Sequence, residues 1–237
     1  MGKHPRPGSR RLPQGLVILY EDQDLIVVDK PPGLLTVGAD ADQPRQTRTA
    51  HFVLTDYVRK SCARSRKRVF VVHRLDRETS GVLIFAKSEE AKLRLQDRWK
   101  ETKKKYLAAV HGRCEKTSET ITSYLAENRA YFVYSTPDPA LGKLAQTVYR
   151  VLKQTRRFAL LEVELLTGRK NQIRVHLAGI GHPVVGDRKY GRNDDAFTHL
   201  ALHARSISFQ HPYSGEQLAF TAKVPVYFQK LVGPIDE

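Results

Sequence analysis

The apolar residues of this chain fall in short runs that are rich in β-branched side chains and are bounded by polar or turn-forming residues. Such runs predict strands rather than long helices. Because several of them follow one another closely, we predict the α+β class, with a largely antiparallel mixed central sheet flanked by helices and loops. The predicted strands are 16–20, 25–29, 69–72, 82–86, 106–110, 145–152, 158–166 and 200–209.

Four segments have the spacing of helices. We predict a helix over 49–60, and a second over 89–102 in which Ser88 is the N-cap and two glutamates occupy the first turn. A short helix is expected around 172–178. A terminal helix is expected over 224–232, with Pro225 in its first turn.

The chain has 237 residues, of which 41% are hydrophobic, so it can bury a substantial core. Its length fits one large domain or two small ones, and we predict one domain over 16–237, since no repeat or convincing linker interrupts it. Residues 1–15 are basic and proline-rich and lack the apolar core of a secretory signal. They are interpreted as a flexible basic tail that either adds a phosphate contact or has no role.

Lysine and arginine number 40 against 25 acidic residues, which gives a formal net charge of +15. This excess predicts a polyanionic partner, with nucleic acid favoured over an anionic membrane because no long uncharged apolar run is present. The protein is therefore expected to be soluble, without a membrane partner. Two distant cysteines indicate a reducing, cytoplasmic setting.

Several catalytic motifs are missing from the sequence. It has no GxxxxGK[ST] phosphate loop, no GxSxG elbow and no GxGxxG after a strand. Its nine histidines form no HExxH motif and no zinc-type quartet with cysteine, so we predict that the protein uses no metal.

The segment VHRLDRETSG at 72–81 places one carboxylate, Asp76, between Arg74 and Arg77, on a loop between two predicted strands. Nearby guanidinium groups favour an ionised carboxylate, which is a usable nucleophile or base. Glu78 alternates with Arg77 and is interpreted as a surface charge. One acid without a second suits a sugar reaction that must not admit water. The alternative is a solvated turn whose charges neutralise one another.

The sequence closely resembles the RluA-type RNA pseudouridine synthases. HRLDRETSGVLIFAKS carries the family signature, and four other blocks match in the right order over about 16–228. These are VVDKPPGLLTV at 27–37, KKYLAAVHG at 104–112, LLTGRKNQIRVHLAGIGHPVVGD at 165–187 and LALHARSISFQHP at 200–212. The resemblance implies the pseudouridine synthase fold, with an active-site cleft across the sheet.

By this resemblance the reaction isomerises uridine in RNA to pseudouridine without a cofactor. Asp76 matches the catalytic aspartate, which either attacks C1′ or removes the C2′ proton to give a glycal. Tyr106 matches the tyrosine that packs against the target uracil, and Arg169 matches the basic residue that pairs with the aspartate. Arg74 matches the arginine proposed to hold the place of the flipped base.

An enzyme that acts on a base inside folded RNA must flip it out, which calls for a stacking surface and a basic groove. We expect Arg77, Lys105, Lys170 and Arg174 to contact RNA, within a groove formed by the basic block 59–77 and by 98–105. Ile173 and Leu177 are expected to line the pocket and to exclude water.

Two departures from the family pattern bear on recognition of the target. Asn171 stands where the family usually has histidine, and 1–15 is too short for the S4 RNA-binding module of many relatives. Target selection is then expected from the catalytic domain itself, working as a monomer on a stem-loop of ribosomal or transfer RNA. A non-catalytic RNA-binding protein and a nucleoside hydrolase are the alternatives.

Overall fold

The computed structural model describes residues 10–38, 49–60, 62, 64–191 and 197–235. Contacts divide them into two compact units, which we call unit 1 (10–102 with 204–223) and unit 2 (103–203 with 224–235). The single catalytic domain over 16–237 stays a prediction. Of the predicted basic tail, residues 1–9 lie outside the described residues, whereas Arg10 and Arg11 pair with the strand at Val17 and Ile18.

The described residues form an α+β fold in which most strand pairs are antiparallel. The strands are β1 (Arg10–Arg11), β2 (Val17–Glu21), β3 (Leu25–Lys30), β4 (Phe70–Val71), β5 (Ser80–Ala86), β6 (Lys103–His111), β7 (Ser118–Glu127), β8 (Val133–Thr136), β9 (Lys143–Gln154), β10 (Phe158–Leu165), β11 (Leu202–Gln210) and β12 (Gln217–Thr221). The helices are α1 (Ala50–Arg59), α2 (Glu89–Asp97), α3 (Gln172–Gly179) and α4 (Val226–Val232).

In unit 1 the strands follow the order β1-β2-β3-β5-β11, with β4 also beside β5 and β12 beside β11. The core lies between the sheet and α2: Val27 and Ile84 of neighbouring strands pack with Ala91 and Leu95 of the helix. β5 is buried along its whole length, so the loop that enters it is attached to the most protected strand of the unit.

In unit 2 the order is β6-β10-β9-β7-β8. Its core joins Leu160 of β10 to Leu177 of α3 and Phe228 of α4. A smaller cluster fastens α3 to the outer strands, where Val175 packs against Leu125 and Val133. The sheet thereby fixes the position of α3 and of the turn that precedes it.

The predicted N-cap Ser88 is present, and Thr49, predicted as the first residue of its helix, is instead the N-cap of α1. The hydroxyl of Thr49 accepts a hydrogen bond from the backbone N–H of Phe52, and that of Ser88 accepts one from Ala91. α2, however, ends at Asp97 and not at 102, because the chain tightens into a 3₁₀ turn over Trp99–Glu101. This turn sets the Trp99 ring 4.8 Å from the ring of His73.

The sequence prediction differs from the structure in two other respects. α4 begins at Val226, and Pro225 is its extended N-cap and not a residue of its first turn. The strands β7, β8 and β12 were not predicted, because their apolar runs are at most three residues long and are flanked by polar side chains. These segments are extended because they form backbone hydrogen bonds with neighbouring strands of the sheet.

No helix among the described residues is long and apolar enough to span a membrane.

Gly81 provides a test of the packing at the start of β5. Its φ is +112°, and a Cβ atom there would lie 2.2 Å from the carbonyl oxygen of Ala204. We expect Gly81→Ala to lower the free energy of unfolding in urea by about 2–4 kcal/mol, since both the backbone and a neighbouring strand must shift. Gly215 (φ +72°, no atom near the added Cβ) is the control, and Gly215→Ala should cost about 1 kcal/mol. Equal losses would contradict this explanation.

Candidate active site

Asp76 lies in unit 1, on the loop between β4 and β5, and its side chain is half-buried. The carbonyl oxygen of Asp76 accepts a hydrogen bond from the N–H of Thr79 at 3.2 Å, which closes a tight turn directly before β5. Thr79 and Ser80 are themselves buried. The segment is therefore an ordered turn and not a solvated loop.

A buried threonine from a distant part of the chain holds the residue before the aspartate. The hydroxyl of Thr36 donates to the carbonyl oxygen of Leu75 at 2.9 Å and accepts from the N–H of the same residue at 3.2 Å. These two bonds imitate the pairing of a neighbouring strand and satisfy both buried backbone groups of Leu75. The backbone is thus held by hydrogen bonds both before Asp76, at Leu75, and at the carbonyl oxygen of Asp76 itself.

Lys30 joins the same loop to the end of β3. Its side chain is fully buried, and its ammonium group donates to the carbonyl oxygens of Pro31 (3.0 Å), Leu34 (2.7 Å) and Arg77 (3.1 Å). Burial lowers the pKa of Lys30 to about 8, while the carboxylates of Glu78 and Asp76 act in the opposite direction. The sequence analysis did not single out Lys30; the available signal was a lysine that follows the apolar run Leu25–Val28 and Asp29 and directly precedes Pro-Pro-Gly.

The two arginines beside Asp76 are exposed. Arg77 donates from Nε to the carbonyl oxygen of Gly33 at 3.1 Å and lies 3.6 Å from a carboxylate oxygen of Glu78. Such an exposed ion pair is worth little and is easily exchanged for another anion. Arg74 and Arg77 can therefore meet phosphate groups at the surface of unit 1.

Tyr106 lies in unit 2 on β6, opposite Val163 of β10. It is half-buried and packs against the core of the unit. The neighbouring Lys105 is exposed and pairs with Glu162 at 3.3 Å. The strand therefore holds the tyrosine at a defined register and keeps the adjacent lysine at the surface.

Arg169 precedes α3 and is exposed. Its Nε donates to the carbonyl oxygen of Leu144 at 3.0 Å, and its backbone N–H donates to the side-chain oxygen of Gln172 at 2.9 Å. The hydroxyl of Thr167 donates to the same oxygen at 2.8 Å. The buried side chain of the first helical residue thus holds the turn that leads into α3, through the backbone of Arg169 and the hydroxyl of Thr167.

Gln172 is held by a network of hydrogen bonds between neutral groups that continues into the sheet. Its amide nitrogen donates to the carbonyl oxygen of Gln146 and to the hydroxyl of Thr147, both at 2.9 Å. Thr147 then bonds Nδ1 of His176 at 2.9 Å, and Nε2 of His176 bonds the hydroxyl of Ser123 at 3.0 Å. Burial lowers the pKa of His176 to about 4, so the ring is neutral in this network.

The remaining predicted contacts have different environments. Lys170 is exposed and forms an ion pair with Glu127. Ile173 and Leu177 are buried in the core of unit 2, and their predicted role in lining a pocket stays a prediction.

Arg174 makes a two-pronged ion pair with buried Asp187, at 2.8 and 2.7 Å. Burial alone would raise the pKa of Asp187, but the hydrogen bonds and charge of Arg174 outweigh it and leave the pKa below its usual range. The side chain of Arg174 is only 13% exposed. Arg174 therefore serves first to neutralise Asp187, and its predicted contact with RNA stays a prediction.

Three side chains of the kind that bind metals lie together elsewhere in unit 1. Donor atoms of Asp22, Asp24 and His211 lie within 4.8 Å of one another. Nδ1 of His211 accepts from the N–H groups of Tyr213 and Ser214, so the ring proton is on Nε2, which donates to Asp22 at 3.0 Å. A protonated nitrogen cannot ligate a metal, and we interpret the group as a clamp between two turns.

A formal net charge of +15 is typical of proteins that bind nucleic acid, and the ordered loop before β5 presents one half-buried carboxylate, that of Asp76. The family model of RNA pseudouridylate synthases matches residues 24–179, about two thirds of the chain, and the chain belongs to this family. It is an isomerase that converts uridine to pseudouridine in RNA. The resemblance noted in the sequence is thereby confirmed.

Named relatives agree with this assignment. The chain is 34% identical to a "Ribosomal large subunit pseudouridine synthase C" of Buchnera aphidicola, over 92% of this chain and 70% of the relative. It is 36% identical to the "Uncharacterized RNA pseudouridine synthase YlyB" of Bacillus subtilis, over 93% and 73%. The solved structure of "Human RNA Pseudouridylate Synthase Domain Containing 1" is similar, with a TM-score of 0.70, 26% identity and coverage of 91% and 86%.

Removal of the Thr36 hydroxyl should disturb the aspartate loop. In Thr36→Val both bonds to Leu75 are lost, so we expect a loss of about 2 kcal/mol in the free energy of unfolding. We also expect kcat for pseudouridine formation to fall roughly 10- to 100-fold at unchanged KM, because Asp76, the predicted catalytic residue, is displaced while the predicted RNA contacts remain. Thr36→Ser, which keeps the hydroxyl, should restore kcat. Full activity of the valine variant would refute a positioning role.

The neutral state of His176 predicts how stability depends on pH. The unfolded chain takes up a proton near pH 6.5 and the folded chain only near pH 4, so the unfolded state binds more protons between these values. The contribution is complete above about pH 6.5 and is lost as the pH falls toward 4. Wild type should lose roughly 3 kcal/mol more than His176→Gln over this interval, measured by urea unfolding. Parallel curves would show that the imidazole titrates normally.

Proposed function

We propose that this isomerase modifies specific uridines of large-subunit ribosomal RNA, with Asp76 as the catalytic carboxylate and with the target base flipped out of the RNA. The observation that carries the proposal is the way the HRLDRETSG loop is held, with Leu75 clamped by Thr36 and Arg77 bound by Lys30. A reacting group must be held in a fixed position by hydrogen bonds from the surrounding residues, and the loop that carries the half-buried Asp76 is held in this way. The ribosomal substrate is suggested by the names of relatives such as that of Buchnera aphidicola.

The reaction is an isomerisation in which atoms balance without a second substrate. The bond from C1′ to N1 breaks, the uracil turns while it is held, a bond forms from C1′ to C5, and the C5 proton is transferred so that N1 carries one. Asp76 takes part either by attack on C1′ or by removal of the C2′ proton to give a glycal. Neither route consumes water or a cofactor, and we propose that the enzyme uses no cofactor.

In the proposal Tyr106 packs against the target uracil and assists its deprotonation, and Arg169 pairs with the catalytic carboxylate. Arg74 takes the place that the flipped base leaves in the RNA. Flipping costs a few kcal/mol, least for bases in loops, which favours a stem-loop target. The rigid supports of Tyr106 on β6 and of Arg169 before α3 suit such positioning roles.

Exposed cations are proposed to hold the phosphates around the target. Arg77, Lys105 and Lys170 are exposed, and their partners within the chain are surface carboxylates that phosphate can replace. Binding should then weaken steeply as salt rises. We propose that the protein acts as a monomer in the cytoplasm, without a metal, and that transfer RNA is the other substrate to be tested.

The function is tested on RNA from a strain that lacks the gene. Purified protein, with a chelator and without added cofactor, is incubated with total RNA, and pseudouridines are mapped by carbodiimide-dependent stops in primer extension. New stops at a few positions in large-subunit ribosomal RNA support the proposal, and stops only in transfer RNA overturn the ribosomal substrate. Free uracil would indicate a hydrolase, and salt-sensitive binding without stops would indicate a binding protein.

Asp76→Asn should abolish turnover, by roughly 10⁴-fold or more, while the Kd for RNA changes less than about threefold. The substitution removes a nucleophile or base, and no phosphate contact is lost. The matched control is Asp97→Asn at the exposed end of α2, which should keep full activity. Substantial turnover by Asp76→Asn would eliminate the aspartate mechanism.

A further inference from the structure

The connection between β7 and β8 in unit 2 exposes aromatic side chains. We call its residues, 128–132, the aromatic tip. Tyr131 is 72% exposed, and Phe132 and the adjacent Tyr134 are also exposed. The Phe132 ring contacts that of Tyr190, with centroids 4.9 Å apart, whereas most of Tyr131 lies in solvent, which is unusual for a large aromatic residue.

The tip is rigid in spite of its exposure. The side-chain oxygen of Asn128 accepts from the N–H groups of Ala130 and Phe132, both at 3.0 Å, and its backbone carbonyl accepts from Tyr131 at 2.9 Å. Tyr131 is held at φ 59°, a left-handed conformation that is unfavourable for a bulky residue. A ring that is ordered before binding loses less entropy when a ligand stacks on it.

Cations surround these rings. Nζ of Lys170 lies 5.4 Å from the centre of the Tyr131 ring, and Nζ of Lys189 lies 5.3 Å from that of Phe132. Lys189 also donates to the carbonyl oxygen of Tyr131 at 2.8 Å, and Arg129 is exposed on the tip itself. Glu127 pairs with Lys170 and is an acidic neighbour. The surface therefore combines flat apolar rings with an excess of positive charge.

The tip is joined to the segment that carries Arg169. Lys170, which lies near the ring of Tyr131, is the next residue in the chain, and Asn171 donates to the hydroxyl of Tyr190 at 3.3 Å. The same hydroxyl accepts from the N–H of Val133, the first residue of β8, at 3.2 Å. The asparagine that replaces the usual histidine of the family thus connects the start of α3 to the hairpin.

We propose that the aromatic tip, flanked by Lys170 and Lys189, is a stacking surface for an unpaired base of the RNA substrate. Unpaired RNA is bound by aromatic rings that stack on bases and by cations that meet the intervening phosphates, and both are present here. A protein partner would not need so many lysines around the rings, and a paired helix keeps its bases out of reach. The inference rests on the proposed function, because it names how that RNA is recognised.

The test compares the binding of two RNA probes by the full chain. One is a short hairpin with an unpaired loop that carries 2-aminopurine, whose fluorescence is quenched by stacking, and the other is a fully paired duplex. Tyr131→Ala should weaken binding to the hairpin roughly 5- to 100-fold and reduce the quenching, with duplex binding unchanged. Tyr131→Phe should behave as wild type, and Lys189→Gln should reduce the salt slope by about one.

Tyr213→Ala is the matched control, since Tyr213 is another exposed tyrosine with a guanidinium group above its ring, that of Arg94 at 4.5 Å. It should leave both affinities unchanged. Unchanged hairpin binding by Tyr131→Ala, an equal loss for the duplex, or an equal loss in Tyr213→Ala would each overturn the stacking surface. Failure of the proposed function looks different: wild type would then make no pseudouridine, whatever the effect of Tyr131→Ala on binding.

Discussion

The buried ammonium group of Lys30 is the interaction on which the aspartate loop depends. Three carbonyl oxygens surround it, from the turn after β3 and from Arg77 of the loop. A buried charge is costly unless its hydrogen bonds are satisfied, so the two segments cannot separate without leaving that charge unpaired. Thr36 adds a neutral clamp on Leu75, and together these contacts specify where the backbone of Asp76 lies.

In unit 2 the turn that precedes α3 is also held in a fixed position, but by neutral hydrogen-bonding groups and not by a buried charge. The turn that carries Arg169 is held by Gln172, whose four hydrogen bonds use every donor and acceptor of its amide group. Thr147 and the neutral His176 continue the network into the sheet. A fully satisfied network of neutral groups gives a unique arrangement without the desolvation cost of an ion pair. It leaves the guanidinium group of Arg169 at the surface.

Cationic side chains lie on the surfaces of both units, but the groups that they contact differ from one place to another. Arg77 and Lys105 have exposed carboxylates beside them, which phosphate can displace. Arg174 is committed to a buried carboxylate. Around the aromatic tip, lysines lie beside rings as well as acids. Cations beside carboxylates, such as Arg77 and Lys105, suit contacts with phosphate groups irrespective of RNA sequence, whereas the aromatic tip suits unpaired bases. Affinity for RNA and selection of the target can therefore reside in different parts of the chain.

The sequence by itself determined the class of the fold, the apolar strands β2, β3, β5, β6 and β10, the cap of α2, and the family, because short-range periodicity and a long ordered motif are local properties. Only the tertiary structure decided that polar β7 and β8 are strands, since their pairing partners lie elsewhere in the chain. It also decided that Lys30 and Thr36 support the aspartate loop and that Arg174 is bound to Asp187. These contacts join residues that are far apart in the sequence or share no visible pattern, and hydrogen-bond satisfaction in a buried site, which selects them, has no local signal.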